Sequence, residues 1–171
     1  REGTVYPIDF NTALATHALY MSALGDILND KDLSFQYKRM YFSLKTRINS
    51  LMWDEDTGFY YDLDENGEKI QRKTIAGFWP LLAEIPNEDK ASALISHLSN
   101  PDTFGLDHPF PSLSADDPDF SETGEAYRGS VFPIYNFIVI KGLEKYQRYE
   151  LARECTLKHI YYMLDSMFPD G

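Results

Sequence analysis

The chain has 171 residues, enough for one domain with a real core. Its formal net charge of −11 comes without a basic stripe, which excludes a nucleic-acid partner and an anionic membrane surface. Apolar residues at 43% and charged residues at 25% are ordinary for a globular protein, so the acidity reads as solubility, while 15% aromatics is high for a small helical core.

From Asp9 to Leu28 apolar residues recur at Ala13, Leu14, Ala18, Met21, Leu24 and Ile27, a helical period with Asp9 as its N-cap. The Asn29-Asp30 turn leads into a second helix over Leu33–Trp53, with Phe35, Tyr41, Leu44, Ile48 and Leu51 on its stripe. The two form an αα-hairpin. Alternation then replaces helical periodicity. Phe59–Leu63 and Lys69–Arg72, joined through Asn66-Gly67, predict a small β-hairpin. A short helix is expected over Gly77–Leu82 with Pro80 in its first turn, and another over Glu88–Leu98, closed by Ser99-Asn100-Pro101. A long polar loop from Phe104 ends in Tyr127-Arg128-Gly129. Val131–Tyr146, apolar on most sides, should be a buried helix, and Tyr149–Met167 is the last, amphipathic one. Six helices in three hairpins make an all-α fold of one domain, residues 1–171, with the β-hairpin and long loop as its irregular parts.

A loop this long inside a compact domain is functional or disordered, and its prolines and aromatics favour function. Sugars present hydroxyls around apolar faces, so their sites combine aromatic platforms with Asp, Glu, Arg and Asn. Three clusters have that mixture: Trp53-Asp54 with Phe59-Tyr60, Phe78-Trp79, and His108 through Arg128. For Trp53 and Trp79 core packing is the competing reading. Arg128 stands just before a helix, where a cation is electrostatically disfavoured, so a bound ligand or a carboxylate should hold it. The expected sugar-contact residues are Trp53, Asp54, Tyr60, Trp79, His108, Tyr127 and Arg128, with Glu125 a further candidate ligand.

No compact metal spacing, Gly-x-Ser-x-Gly elbow or phosphate-cradling glycine loop occurs, so neither a metal nor another cofactor is expected. Cys155 is the single cysteine, which leaves no internal disulfide and no Cys-based zinc site; it reads as a buried structural thiol. No apolar run approaches the roughly 18–20 residues of a membrane span.

These residues resemble the (α/α)6 six-hairpin glycosidases, in the trehalase and glycoside hydrolase family 63-like group with its mannosylglycerate hydrolase-like members. That group carries Tyr-Trp-Arg-Gly-x-Val-Trp before a buried helix; here the segment is Ala126-Tyr127-Arg128-Gly129-Ser130-Val131-Phe132, followed by Asn136-Phe137 and Gly142-Leu143-Glu144-Lys145-Tyr146. Residues 53–62 are similar to the group's hairpin at the barrel mouth, Phe78-Trp79-Pro80-Leu81 to its Phe-x-Pro-Leu turn, and Pro7-Ile8-Asp9-Phe10-Asn11 to its Val-Asp-Leu-Asn helix start. Tyr127 and Phe132 depart from the pattern, so the donors of two indoles are lost; Tyr127 keeps a hydroxyl that can bond and Phe132 does not. The resemblance implies half of an (α/α)6 toroid and hydrolysis of an α-linked sugar by an inverting acid–base pair about 6.5–9.5 Å apart. It also places the acid upstream and the base downstream of this chain, so no carboxylate here is nominated as catalytic. Arg1-Glu2-Gly3 and Pro169-Asp170-Gly171 both read as cut ends, and a half-barrel should meet its missing half or self-associate. The rival readings are a non-catalytic helical interaction module, which predicts an apolar groove, and a sugar epimerase, which needs two histidines facing one pocket.

Overall fold

A computed structural model describes residues 6–167; the two chain ends that prompted the expectation of a cut lie outside them. Five α-helices dominate: α1 Ile8–Ile27, α2 Lys31–Leu51, α3 Glu88–Ser99, α4 Pro133–Lys145 and α5 Tyr149–Met167. Two short strands, β1 Trp53–Asp54 and β2 Phe59–Tyr60, and a 3-10 segment over Ile75–Leu81 complete the frame. None of these helices is long and apolar enough to cross a membrane.

The elements stack in two layers. The Ile75–Leu81 segment packs against both α1 and α4, so these three form one row. Behind them α2 backs α1, α3 backs the 3-10 segment, and α5 backs α4. Each pair is a helical hairpin, and the three pairs side by side are the half-toroid arrangement. α1 and α2 approach tightly at Gly25, where an added Cβ would lie 2.9 Å from Ser34 Cα.

Local chemistry sets the element ends. Asp30 caps α2 by accepting from Leu33 N at 2.9 Å, and Asn87 caps α3 through Lys90 N at 3.0 Å. Asp9 is not the cap of α1: Pro7 holds that position and has no side-chain acceptor. The first helical amide, Ile8 N, instead donates to Asp62 Oδ1 at 2.7 Å from a distant loop. The expected helix at Gly77–Leu82 is a 3-10 segment starting at Ile75, which places Pro80 near its end rather than in its first turn. The strand pairing also differs. β2 pairs with β1, Trp53 opposite Tyr60, because Asp54 and Gly58 fold residues 54–58 into a tight turn. The Asn66-Gly67 turn does form, but it contributes only the isolated bridge Leu63–Lys69.

The core centres on Phe59, Phe78 and Phe104, all fully buried. Phe78 meets Phe59 and Phe104 edge-on at 5.2 and 4.9 Å, the T-shaped geometry that aromatic quadrupoles favour. Gly77 is required here, since a Cβ would lie 2.7 Å from Tyr60 O and against the Phe59 ring. Cys155 is buried between α5 and its neighbours, and burial pushes its thiol up to about 11. Helix α4 is less enclosed than its composition suggests. It buries Asn136, Val139, Gly142 and Leu143, while Ile134 and Phe137 are exposed on the face opposite.

Candidate functional site

The first-row elements begin at one end of the fold, and a cavity of about 750 Å³ opens there. Its floor is Thr74, Ile75 and Ala76 at the start of the 3-10 segment. Asp62, Ile70 and Arg72 wall one side, Ser112, Leu113 and Asp119 a second, and Ala126, Tyr127, Arg128, Phe132 and Tyr135 a third. The long loop is therefore a wall of the cavity, tied down at both ends of its acidic run. Arg72 pairs with Asp117 at 3.3 Å and with Asp119, and Lys73 pairs with Asp116.

An aromatic row borders the third wall. The Tyr127 and Phe132 rings stack with centroids 5.3 Å apart, Phe132 meets Tyr135 at 5.5 Å, and Tyr135 meets Trp79 at 5.8 Å. Tyr127 is 74% exposed, so its ring presents a free face and a hydroxyl. Such a platform suits the apolar face of a ring compound with polar edges.

Arg128 sits beside this row. Its backbone N donates to Glu125 O at 3.0 Å, and its backbone O accepts from Ser121 N at 2.6 Å. Its side chain makes one long bond, Nε to Glu125 O at 3.4 Å. Among the described residues no carboxylate lies within ion-pairing distance of the guanidinium. Arg128 is exposed, so water meets the charge ahead of α4 and the guanidinium is open to a ligand. The turn carrying it is strained: Gly124, Ala126, Tyr127 and Gly129 all have positive φ, of 72°, 52°, 63° and 134°. Residues held left-handed without being glycine concentrate where function demands a fixed geometry.

The other predicted contacts stand elsewhere. Of the seven, Tyr127 and Arg128 line the cavity, and Trp79 adjoins it through Tyr135, its Nε1 buried without a partner among the described residues. Trp53 and Tyr60 pack in the core with centroids 4.7 Å apart, and the Tyr60 hydroxyl donates to Asn49 Oδ1 at 2.6 Å. Burial pushes the Tyr60 phenol far above its ordinary range. Asp54 holds its own turn: Oδ1 accepts from Thr57 N and Oγ1, both at 3.0 Å, and Oδ2 pairs with Lys69 at 3.2 Å. The Thr57 amide and Lys69 lower its carboxyl to about 2. His108 packs on Tyr162, centroids 4.3 Å apart.

Neither Arg72, Asp62, Ser112 nor Tyr135 was singled out from the sequence. Asp62 closes the Phe59-Tyr60-Tyr61-Asp62 motif, which was signal enough; the others required knowledge of which loops meet. No histidine lines the cavity: His17 meets Tyr37, His97 meets Thr57 O, and His159 bonds Asn136. Among the described residues no group of three or more His, Cys, Asp or Glu is placed to hold a metal ion.

The family model for the mannosylglycerate hydrolase MGH1-like glycoside hydrolase domain matches residues 1–165. An uncharacterised protein of Borreliella burgdorferi is 52% identical over 99% of this chain and 36% of its own length. The mannosylglycerate hydrolase of Thermus thermophilus is 36% identical over 56% of this chain and 23% of its own length. The crystal structure of the family 63 mannosylglycerate hydrolase of Thermus thermophilus in complex with glucose superposes with a TM-score of 0.82 at 28% identity, over 92% of this chain and 37% of that one. The chain thus spans about a third or less of the length of these relatives.

Proposed function

This chain belongs to the mannosylglycerate hydrolase MGH1-like glycoside hydrolase family, a glycosidase fold, and on that footing we propose that it forms one wall of a sugar-binding site for an α-linked glycoside. The reaction in the full polypeptide is inverting hydrolysis. An acid protonates the leaving oxygen while a base activates water on the opposite face of the sugar. Both carboxylates come from segments outside this chain. The role of these residues is to bind and orient: the Tyr127–Phe132–Tyr135 row takes a sugar face, and Arg128 takes an anionic or hydroxyl-rich edge.

The observation that carries this reading is the unpaired guanidinium of Arg128 beside an aromatic row in a cavity of about 750 Å³. A guanidinium recognises a carboxylate through two parallel bonds, which suits a sugar joined to a hydroxy acid such as mannosylglycerate. The test is calorimetric binding of mannosylglycerate to the natural full-length protein, with methyl α-mannoside as the uncharged control. Arg128→Ala should weaken mannosylglycerate about 10- to 100-fold, the scale of a lost charged hydrogen bond, and change unfolding by less than about 0.5 kcal/mol. Unchanged affinity removes Arg128 from the site.

A second reading concerns assembly. Phe10 and Tyr20 on α1 and Ile134 and Phe137 on α4 are all at least half exposed. We propose that the remaining helices of the toroid cover this face, or failing them a second copy of the chain. Light scattering and hydrophobic-dye binding on the 171-residue chain test it: a monodisperse monomer that binds no dye counts against both covers. The epimerase reading has no support from a cavity without histidine, and the interaction-module reading predicts no aromatic-walled cavity.

A further inference from the structure

The guanidinium of Arg128 is uncommitted, yet its backbone N and O are bonded to Glu125 and Ser121, and one side chain holds the groups that flank it. Ser112 is buried. Its hydroxyl donates to Tyr127 O at 2.7 Å and accepts from Gly129 N at 3.1 Å. These two groups lie on either side of Arg128, so a single hydroxyl brackets that residue. The backbone of Ser112 extends the bracket: its N donates to Ser130 O at 2.8 Å, and its O accepts from Ile75 N at 3.0 Å. Through Ser112 the strained turn is therefore fastened to the first amide of the 3-10 segment, the floor of the cavity.

We propose that Ser112 is a positioning residue for sugar binding, acting through the turn that carries Tyr127 and Arg128; this rests on the reading of the cavity given above. Two successive non-glycine residues, Ala126 and Tyr127, are left-handed, a conformation that costs L-residues about 1–2 kcal/mol each and persists only where neighbours over-determine it. The Ser112 hydroxyl supplies two of the bonds that do so. Without it, Gly129 N and Tyr127 O lose their partner, the turn relaxes, and Arg128 leaves the geometry that a bidentate contact needs. Ser112 is buried under the turn, and its hydroxyl is engaged on both sides, so it orients the contact rather than making it.

A double-mutant cycle on the full-length protein, read by mannosylglycerate affinity, separates this role from a general structural one. Ser112→Ala should weaken binding about tenfold. The double variant with Arg128→Ala should lose less than the product of the two single losses, because the Arg128 guanidinium that the serine helps to position is already gone. Wild-type affinity in Ser112→Ala, or a double loss equal to the product of the single losses, overturns the proposal. If Arg128→Ala itself binds like wild type, the reading of the site fails first, and this inference goes with it. Should Ser112→Ala not fold, amide exchange on the wild type decides: the Gly129 N–H must exchange more slowly than in free peptide, and exchange at the peptide rate shows that the bracket is absent.

Discussion

The joint between α4 and the 3-10 segment can be tested at Gly142, where two effects of known size oppose each other. Gly142 lies inside α4, and replacing a mid-helix glycine by alanine ordinarily stabilises by about 1 kcal/mol. Here an added Cβ would lie 2.7 Å from Leu81 Cβ and 3.1 Å from Leu82 N. Ordinary carbon–carbon contact is about 3.5–4.0 Å, so the two elements must separate by roughly 1 Å. Neither neighbour yields easily: Leu81 is fully buried, and Leu82 N is bonded to Trp79 O at 2.9 Å. Overpacking of this kind costs about 1–3 kcal/mol, and two rigid contacts put Gly142→Ala toward the upper end. The clash wins. The net loss is about 1–2 kcal/mol, a fall in melting temperature of roughly 2–8 °C for a chain of this size. Urea unfolding of wild type and variant, compared at constant m, is the assay. A variant as stable as wild type, or more so, means that α4 does not sit against residues 81 and 82, and the placement of Phe132 and Tyr135 on the cavity wall falls with it.

Asp54→Asn should cost about 1–2 kcal/mol at pH 7 and leave the proposed sugar binding unchanged, since Asp54 holds a turn and pairs with Lys69. The folded carboxyl is depressed to about 2, below its unfolded value, so its contribution is full above about pH 4 and is lost as pH falls toward 2. Urea midpoints for the two proteins should therefore converge in acid; a gap that persists at pH 2 would show that the charge is not what matters. Cys155, with its thiol raised to about 11, should react with a disulfide reagent at pH 8 far more slowly in the folded than in the urea-unfolded protein; equal rates would place it at the surface.

Periodicity made α1, α2 and α5 legible through stripes over many residues, and α4 was legible as a long apolar run. It failed where single contacts override it. Pro7 displaced Asp9 as the cap because a buried carboxylate from residue 62 was available, and no local pattern reports a partner 54 positions away. The paired strands are Trp53–Asp54 and Phe59–Tyr60, closed by a side-chain bond inside a five-residue turn, while the Asn-Gly turn forms beside them with a single bridge. For the site, Arg128 could be marked in advance by its electrostatic misfit at a helix start. Ser112 and Arg72 could not, since their importance lies in which loop each one meets.

The cavity's charge does not follow from that of the chain. The protein carries 27 acidic residues against 16 basic ones, yet the cavity lining places Asp62 and Asp119 against Arg72 and Arg128. Each carboxylate already serves the fold: Asp62 accepts from the first amide of α1, and Asp119 pairs with Arg72. The three first-row elements also begin here, and their starts are satisfied by three different means. α1 uses the Asp62 carboxylate, the 3-10 segment uses the Ser112 carbonyl, and α4 opens on Pro133, which has no N–H to satisfy. The lining therefore holds one guanidinium, that of Arg128, with no carboxylate partner among the described residues. A cationic ligand would meet repulsion there and a neutral sugar would leave Arg128 without a charged partner. A sugar acid answers both, and for that reason the proposed substrate carries a carboxylate.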